Sequence, residues 1–158
     1  MAGKKILFVA SWAILLFLFG VIAALSTASL MTAYGERPDN LVQNFKLDDI
    51  KNAAEQVGAS GDEVVAAFRG RRATAATWAL AFALLAITVV LGPYRRGERW
   101  AWWALLITVG LSQLLSLARV LALHSSFGTG APATILAFTL LGLLAGAPRM
   151  FSKADVAG

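Results

Sequence analysis

The sequence predicts an all-α protein, a four-transmembrane-helix bundle with both termini cytoplasmic (N-in/C-in) and short amphipathic helices in its first, extracytoplasmic loop. Three observations predict it. Four long blocks carry no charged residue, cations gather at the ends of those blocks, and the chain is 58% hydrophobic against 15% charged. Soluble domains run nearer 45–50% and about 25%. With 158 residues, the chain is expected to form a single membrane domain over 1–158.

The first block gives a span over about 6–31, because some 20 apolar residues cross a bilayer as a helix. Lys4 and Lys5 precede it. A signal peptide also opens on cations, but its apolar core is shorter, about 7–15 residues. The block therefore reads as an uncleaved anchor, although Ala24, Ser26 and Ala28 leave cleavage open. A soluble segment, 32–72, follows. Glu36-Arg37-Pro38-Asp39-Asn40 is turn chemistry. Leu47, Ile50, Ala54 and Val57 recur at helical spacing, and Asp48 and Asp49 favour the start of that short helix. Gly58 suits its end. Ser60 and Glu63 form a capping-box pattern, from which a second helix can run unbroken into the next span.

That span is read as 73–92, stopped by Gly92-Pro93. A third follows over 100–123, interrupted near its end by Arg119, and a fourth over 131–147, with Pro132 in its first turn. Pro148 and Arg149 close the fourth. The turn between spans two and three is only a few residues, which makes them an antiparallel hairpin. Tyr94, Trp100, Trp102 and Trp103 read as an aromatic belt at headgroup depth, the alternative being a stacking surface for a ligand.

Orientation follows from the cations, which favour the cytoplasmic side of short loops. Placing the N-terminus inside puts Lys4, Lys5, Arg95, Arg96, Arg99, Arg149 and Lys153 in the cytoplasm. Segment 32–72, with seven acids and six bases, then faces outward. Arg69, Arg71 and Arg72 argue the other way, but long translocated segments obey the rule less strictly. The expected location is the inner, or plasma, membrane. The net charge of +5 is explained by these flanks, so no nucleic-acid partner is expected.

The run Tyr94-Arg95-Arg96-Gly97-Glu98-Arg99-Trp100-Ala101-Trp102-Trp103 resembles the central turn of uncharacterised small bacterial four-helix integral membrane proteins. The resemblance covers roughly 60–123. It implies a four-helix membrane bundle, and it implies no activity and no functional residues.

The residue inventory argues against several chemistries. With no cysteine, disulfide exchange, thiolate catalysis and iron–sulfur clusters are excluded. The one histidine, His124, cannot supply the axial pairs of a cytochrome b-like bundle. No carboxylate lies inside a span, so the embedded acid expected of a proton-coupled transporter is missing. No phosphate-binding glycine pattern and no nucleophile motif occurs. No catalytic residue, cofactor or metal is expected.

One polar face remains. Thr108, Ser112, Ser116 and Arg119 recur at spacings that share one helix side, with Gln113 beside them. Arg119 lies about 28 Å along the helix from Trp100, near the outer interface. Arg119, Ser116, Gln113, Ser112 and His124 are therefore candidate ligand-binding residues for the headgroup of a membrane lipid or a quinone-like molecule. The alternative is that Arg119 snorkels and the hydroxyls bond neighbouring helices. Small residues mark candidate helix-packing positions: Gly142 and Gly146 in a Gly-x-x-x-Gly pair, the row Ala75, Ala79 and Ala83, and Ala133 with Ala137. They serve packing within one bundle, a neighbouring subunit or a homo-oligomer. The functional expectation is a non-enzymatic accessory subunit or binding module of a membrane assembly. The alternative is an enzyme or carrier for a lipid-like molecule that uses the Arg119 pocket.

Overall fold

The computed structural model describes residues 2–35, 47–123 and 130–151, and these are helical apart from short turns. The order is α1 (Ala2–Tyr34), α2 (Leu47–Gln56), α3 (Gly61–Val89), a π-turn (Val90–Tyr94), α4 (Arg99–Leu123) and α5 (Gly130–Met150). Four helical stretches are long and apolar enough to cross a membrane: Lys5–Tyr34, Gly61–Tyr94, Arg99–Arg119 and Gly130–Met150. Each corresponds to one uncharged block of the sequence. The turn at 36–40 and His124 lie outside the described residues.

The chain divides into two compact bodies, residues 21–84 and residues 1–20 with 85–158. In the body formed by 21–84, α2 ends as the glycine at position 58 predicts. Gly58 has φ +74°, a conformation that costs a side chain about 1–2 kcal/mol. The N–H of Ala59 donates to the Ala54 carbonyl at 3.0 Å, and the N–H of Gly58 to Glu55 at 3.0 Å. This 6→1 and 5→2 pair satisfies carbonyls that the helix end leaves open. Three residues later α3 begins, where the Ser60 carbonyl accepts the N–H of Val64 at 3.1 Å. Lys51 of α2 pairs with Asp62 of α3 at 2.7 Å. As expected, the second soluble helix and the second span are one continuous helix, α3. Its buried side here runs through Val65, Ala73, Ala76 and Ala83.

The second body differs from the sequence reading at two prolines. Gly92-Pro93 does not end the helix. Proline lacks an N–H and its ring crowds the carbonyl four residues back. The backbone widens here into a π-turn, in which the N–H of Arg95 reaches Val90. Such single wide turns absorb an interruption inside a helix. Helical backbone then continues to Arg96. The end comes at Gly97, φ +85°, where the N–H of Glu98 donates to Pro93 at 3.0 Å and that of Gly97 to Tyr94 at 2.9 Å. A Gly97→Ala substitution is therefore expected to destabilise the protein by about 1–2 kcal/mol, read as a lower melting temperature in detergent; an unchanged melt would contradict the left-handed turn. Pro148 likewise lies inside α5, which runs to Met150 and past the expected end at 147. A proline in the last turn deprives only one carbonyl of its partner, and the Phe151 N–H resumes the pattern by donating to Ala147 at 3.0 Å.

α4 packs against α5. The interior of this body takes Phe8, Leu15, Leu18 and Phe19 from α1. It takes Ala86, Val90 and Tyr94 from α3 and the π-turn. Ala101, Leu105 and Val109 come from α4, and Thr139, Leu143 and Met150 from α5. Tyr94 is fully buried and so does not belong to the interfacial belt. It continues the row Ala83, Ala86, Val90 at helical spacing, because the helix does not stop before it. Trp100 and Trp103 are exposed. Trp102 is half-buried and donates its indole N–H to the Leu143 carbonyl at 2.8 Å.

Candidate functional site

Two polar arrangements stand out in the body built from 1–20 and 85–158. The first is a buried node. Ser11 of α1 donates its hydroxyl to the Gly142 carbonyl of α5 at 2.6 Å. Tyr94 in turn bonds Ser11 Oγ at 2.5 Å. Ser11 has one proton, already given to Gly142, so the tyrosine is the donor. The node fits because Gly142 and Gly146 present no side chain. A Cβ on Gly142 would come within 2.8 Å of Leu15. One on Gly146 would overlap the Tyr94 hydroxyl and lie 2.6 Å from Ser11 Oγ. The Gly-x-x-x-Gly pair thus packs within this chain, against α1 and Tyr94. Every polar atom of the node has a partner, which burial in an apolar interior demands.

The second arrangement is a basic, aromatic end where the start of α1, the π-turn, the start of α4 and the end of α5 converge. Arg149 sits over the Phe8 ring, 4.2 Å from its centre, and Arg95 over Trp12 at 5.4 Å. Phe8 stacks on Tyr94, with centres 5.9 Å apart. Arg99 donates to the Met150 carbonyl at 2.9 Å, capping the negative end of α5, and lies 6.0 Å from the Phe151 ring. Glu98 is the one acid among the described residues of this body. It is occupied by the Trp100 indole at 2.6 Å and by Arg96 at 4.0 Å.

Compared with known proteins, the chain matches no family model, no curated protein and no solved structure.

The expected polar face of α4 is present as a row. Thr108 donates to Ala104 at 2.6 Å, Ser112 to Val109 at 2.8 Å and Ser116 to Ser112 at 2.8 Å. Gln113 reaches Ser112 Oγ at 3.3 Å. These hydroxyl protons go back to the helix's own backbone, as Ser and Thr commonly do in membrane helices. Ser112, Gln113 and Ser116 are half-buried, and Arg119 is exposed. Of the alanine row on α3, Ala83 is fully buried, Ala79 half-buried and Ala75 exposed; Ala133 and Ala137 of α5 are both exposed.

In the other body, Arg72 donates to Ser29 at 3.1 Å, and Arg69 Nε is buried without a hydrogen-bond partner among the described residues. Among the described residues, no group of three or more His, Asp or Glu side chains is arranged to hold a metal ion.

The sequence reading did not single out Ser11, Phe8 or Trp12. Ser11 was the one available signal, a lone polar residue among apolar neighbours from Ile6 to Phe19.

Proposed function

We propose that this chain is a non-enzymatic component of a membrane assembly, an accessory or binding subunit with both termini in the cytoplasm of a plasma-membrane-bounded cell. The observation that carries the reading is how the polar side chains of the spans are used. Ser11, Tyr94, Thr108, Ser112, Ser116 and Thr139 all bond within the chain, chiefly to its own backbone. Nothing in that set converges as a nucleophile, a base and an orienting partner must. What the helices offer outward is apolar surface. On it Ala75, Ala133 and Ala137 are exposed, small enough to let another helix approach closely. The six Lys and Arg residues 4, 5, 95, 96, 99 and 149 support the orientation, since cytoplasmic loops retain cations.

Solubilising native membranes in a mild detergent tests this. The chain is expected to leave the membrane with a stoichiometric neighbour, or as a homo-oligomer. Ala137→Trp should reduce that association at least tenfold while leaving the melting temperature of the isolated chain unchanged. A monomer without companions, unaffected by the substitution, would refute the proposal. The carrier reading at Arg119 separates cleanly from it. That reading requires Arg119→Ala to lose co-purified lipid while Arg119→Lys retains part of it, and equal lipid in both variants and the parent removes it.

A further inference from the structure

Arg69, Arg71 and Arg72 run against the cation pattern that orients the chain, and the accessory role does not use them. Within the body formed by 21–84 they are not alike. Arg71 is exposed, whereas Arg69 and Arg72 are half-buried. Those two lie three residues apart on α3, so they are neighbours on one side of the helix, with about 5–6 Å between their Cβ atoms. That side meets α1, since Arg72 Nε donates to Ser29 Oγ at 3.1 Å. Val65, Ala73 and Ala76, each one turn from one of these arginines, are buried, as are Ser26 and Ala33 of α1 on either side of Ser29.

The charge at this seam is not balanced. Arg69 Nε is buried with no hydrogen-bond partner, and neither ion pair among the described residues includes Arg69. Asp62, earlier on the same helix, is engaged by Lys51. A guanidinium drawn partly out of water with a donor unspent is unfavourable until an acceptor meets it. A second positive charge one step along the helix adds to that demand. Ser29 accepts from Arg72, and its own proton is a further donor. Arg72 is also the last charged residue before the uncharged run 73–94, so the pair stands where hydrocarbon gives way to headgroups. The acceptor that phospholipids place at that depth is phosphate, which a planar guanidinium grips through two N–H groups at once.

We propose that Arg69, Arg72 and Ser29 form a binding site for the phosphate of a membrane lipid, at the end of the α1–α3 seam where the uncharged run begins. Arg69 is the deciding group, because its buried Nε is the donor left without an acceptor. Arg72, tied to Ser29, adds the second charge, and the Ser29 hydroxyl gives its proton to the same oxygens. Two guanidiniums match a phosphate monoester, which approaches two negative charges, better than a diester with one. The small buried residues Ser26, Ala73 and Ala76 let the two helices approach closely below the arginines. The seam therefore takes the headgroup and leaves the acyl chains in the bilayer.

The test uses the full chain, purified alone in a maltoside detergent. It is offered equal amounts of phosphatidic acid and of diacylglycerol with the same acyl chains, which differ only in the phosphate. Retained lipid is measured by mass spectrometry after gel filtration. The parent is expected to favour phosphatidic acid by about tenfold, the scale of one charge-assisted hydrogen bond. Arg69→Gln should remove most of that preference, and Ser29→Ala a smaller part. Arg71→Gln, which takes the same charge from the exposed side of the same helix, should leave it unchanged. Arg69→Lys keeps the charge but not the Nε–H, and should lose part of the preference even where Arg69→Gln does not fold. Phosphatidic acid should also raise the melting temperature of the parent, and raise it less in Arg69→Lys. Inorganic phosphate in excess should not displace the lipid. The proposal is overturned if the parent retains both lipids equally, or if Arg71→Gln matters as much as Arg69→Gln, which would reduce the effect to net charge. Displacement by inorganic phosphate would overturn it in favour of a soluble anion. A membrane neighbour that Arg69→Gln releases, with no phosphatidic acid retained by the parent, would overturn it in favour of a partner's carboxylate. Lipid retention is read on the isolated chain, so its failure leaves the accessory role standing.

Discussion

Gly146→Ala is expected to destabilise the protein by about 1–3 kcal/mol, although alanine is the better helix former. In an exposed helix the exchange gains about 1 kcal/mol. Here the added methyl overlaps the Tyr94 hydroxyl and lies 2.6 Å from Ser11 Oγ, and forcing atoms into a filled interior costs about 1–3 kcal/mol or more. Gly110→Ala supplies the contrast. Its methyl meets only a Leu106 methyl at 4.0 Å, so this variant should be neutral or slightly more stable. A second contrast is rescue. Tyr94→Phe removes the overlapped oxygen and should restore part of what Gly146→Ala loses. Thermal melts in detergent check all of these. A Gly146→Ala variant as stable as Gly110→Ala would mean that α5 does not approach Tyr94 closely.

Replacing Ser11 by alanine should cost more than replacing Tyr94 by phenylalanine. Ser11→Ala leaves the tyrosine hydroxyl buried with no acceptor, a loss of about 1–3 kcal/mol. Tyr94→Phe removes a donor but leaves Ser11 bonded to Gly142, so the loss should be nearer the ~0.6 kcal/mol typical of a membrane hydrogen bond. The double variant should then be more stable than Ser11→Ala alone, since no orphaned hydroxyl remains. A double-mutant cycle in which the two losses simply add would show that the pair does not act as a unit.

These two experiments bear on what the sequence can reveal about a membrane protein. The existence of the helices was legible, because length and the absence of charge are sufficient signals against hydrocarbon. The inward face of α1 was not. Its buried positions Phe8, Ser11, Leu15 and Leu18 have the spacing of a helix seam. Their exposed neighbours Leu7, Val9 and Phe17 are equally apolar. Lipid tails resemble leucine, so hydrophobicity does not separate the side that meets protein from the side that meets lipid. Gly142 and Gly146 were readable because small size, unlike apolarity, has meaning only where something comes close. Tyr94 was misplaced for a different reason. Pro93 is the usual end of a helix, and nothing in the local sequence announces that the backbone will widen instead. The basic turn was legible as charge, but the rings that hold its arginines lie some eighty residues away on α1 or at the chain's other end.

The carbonyls of α5 receive side-chain donors from two other helices: Ser11 of α1 at Gly142, and Trp102 and Arg99 of α4 at Leu143 and Met150. This gives the assembly a direction in time. The donors belong to segments that leave the ribosome earlier, and the acceptors belong to the fifth helix, synthesised after them. Until that helix inserts, a serine and an indole must wait for their acceptors in or near the lipid. The arrival of α5 is thus the event that completes the body built from 1–20 and 85–158.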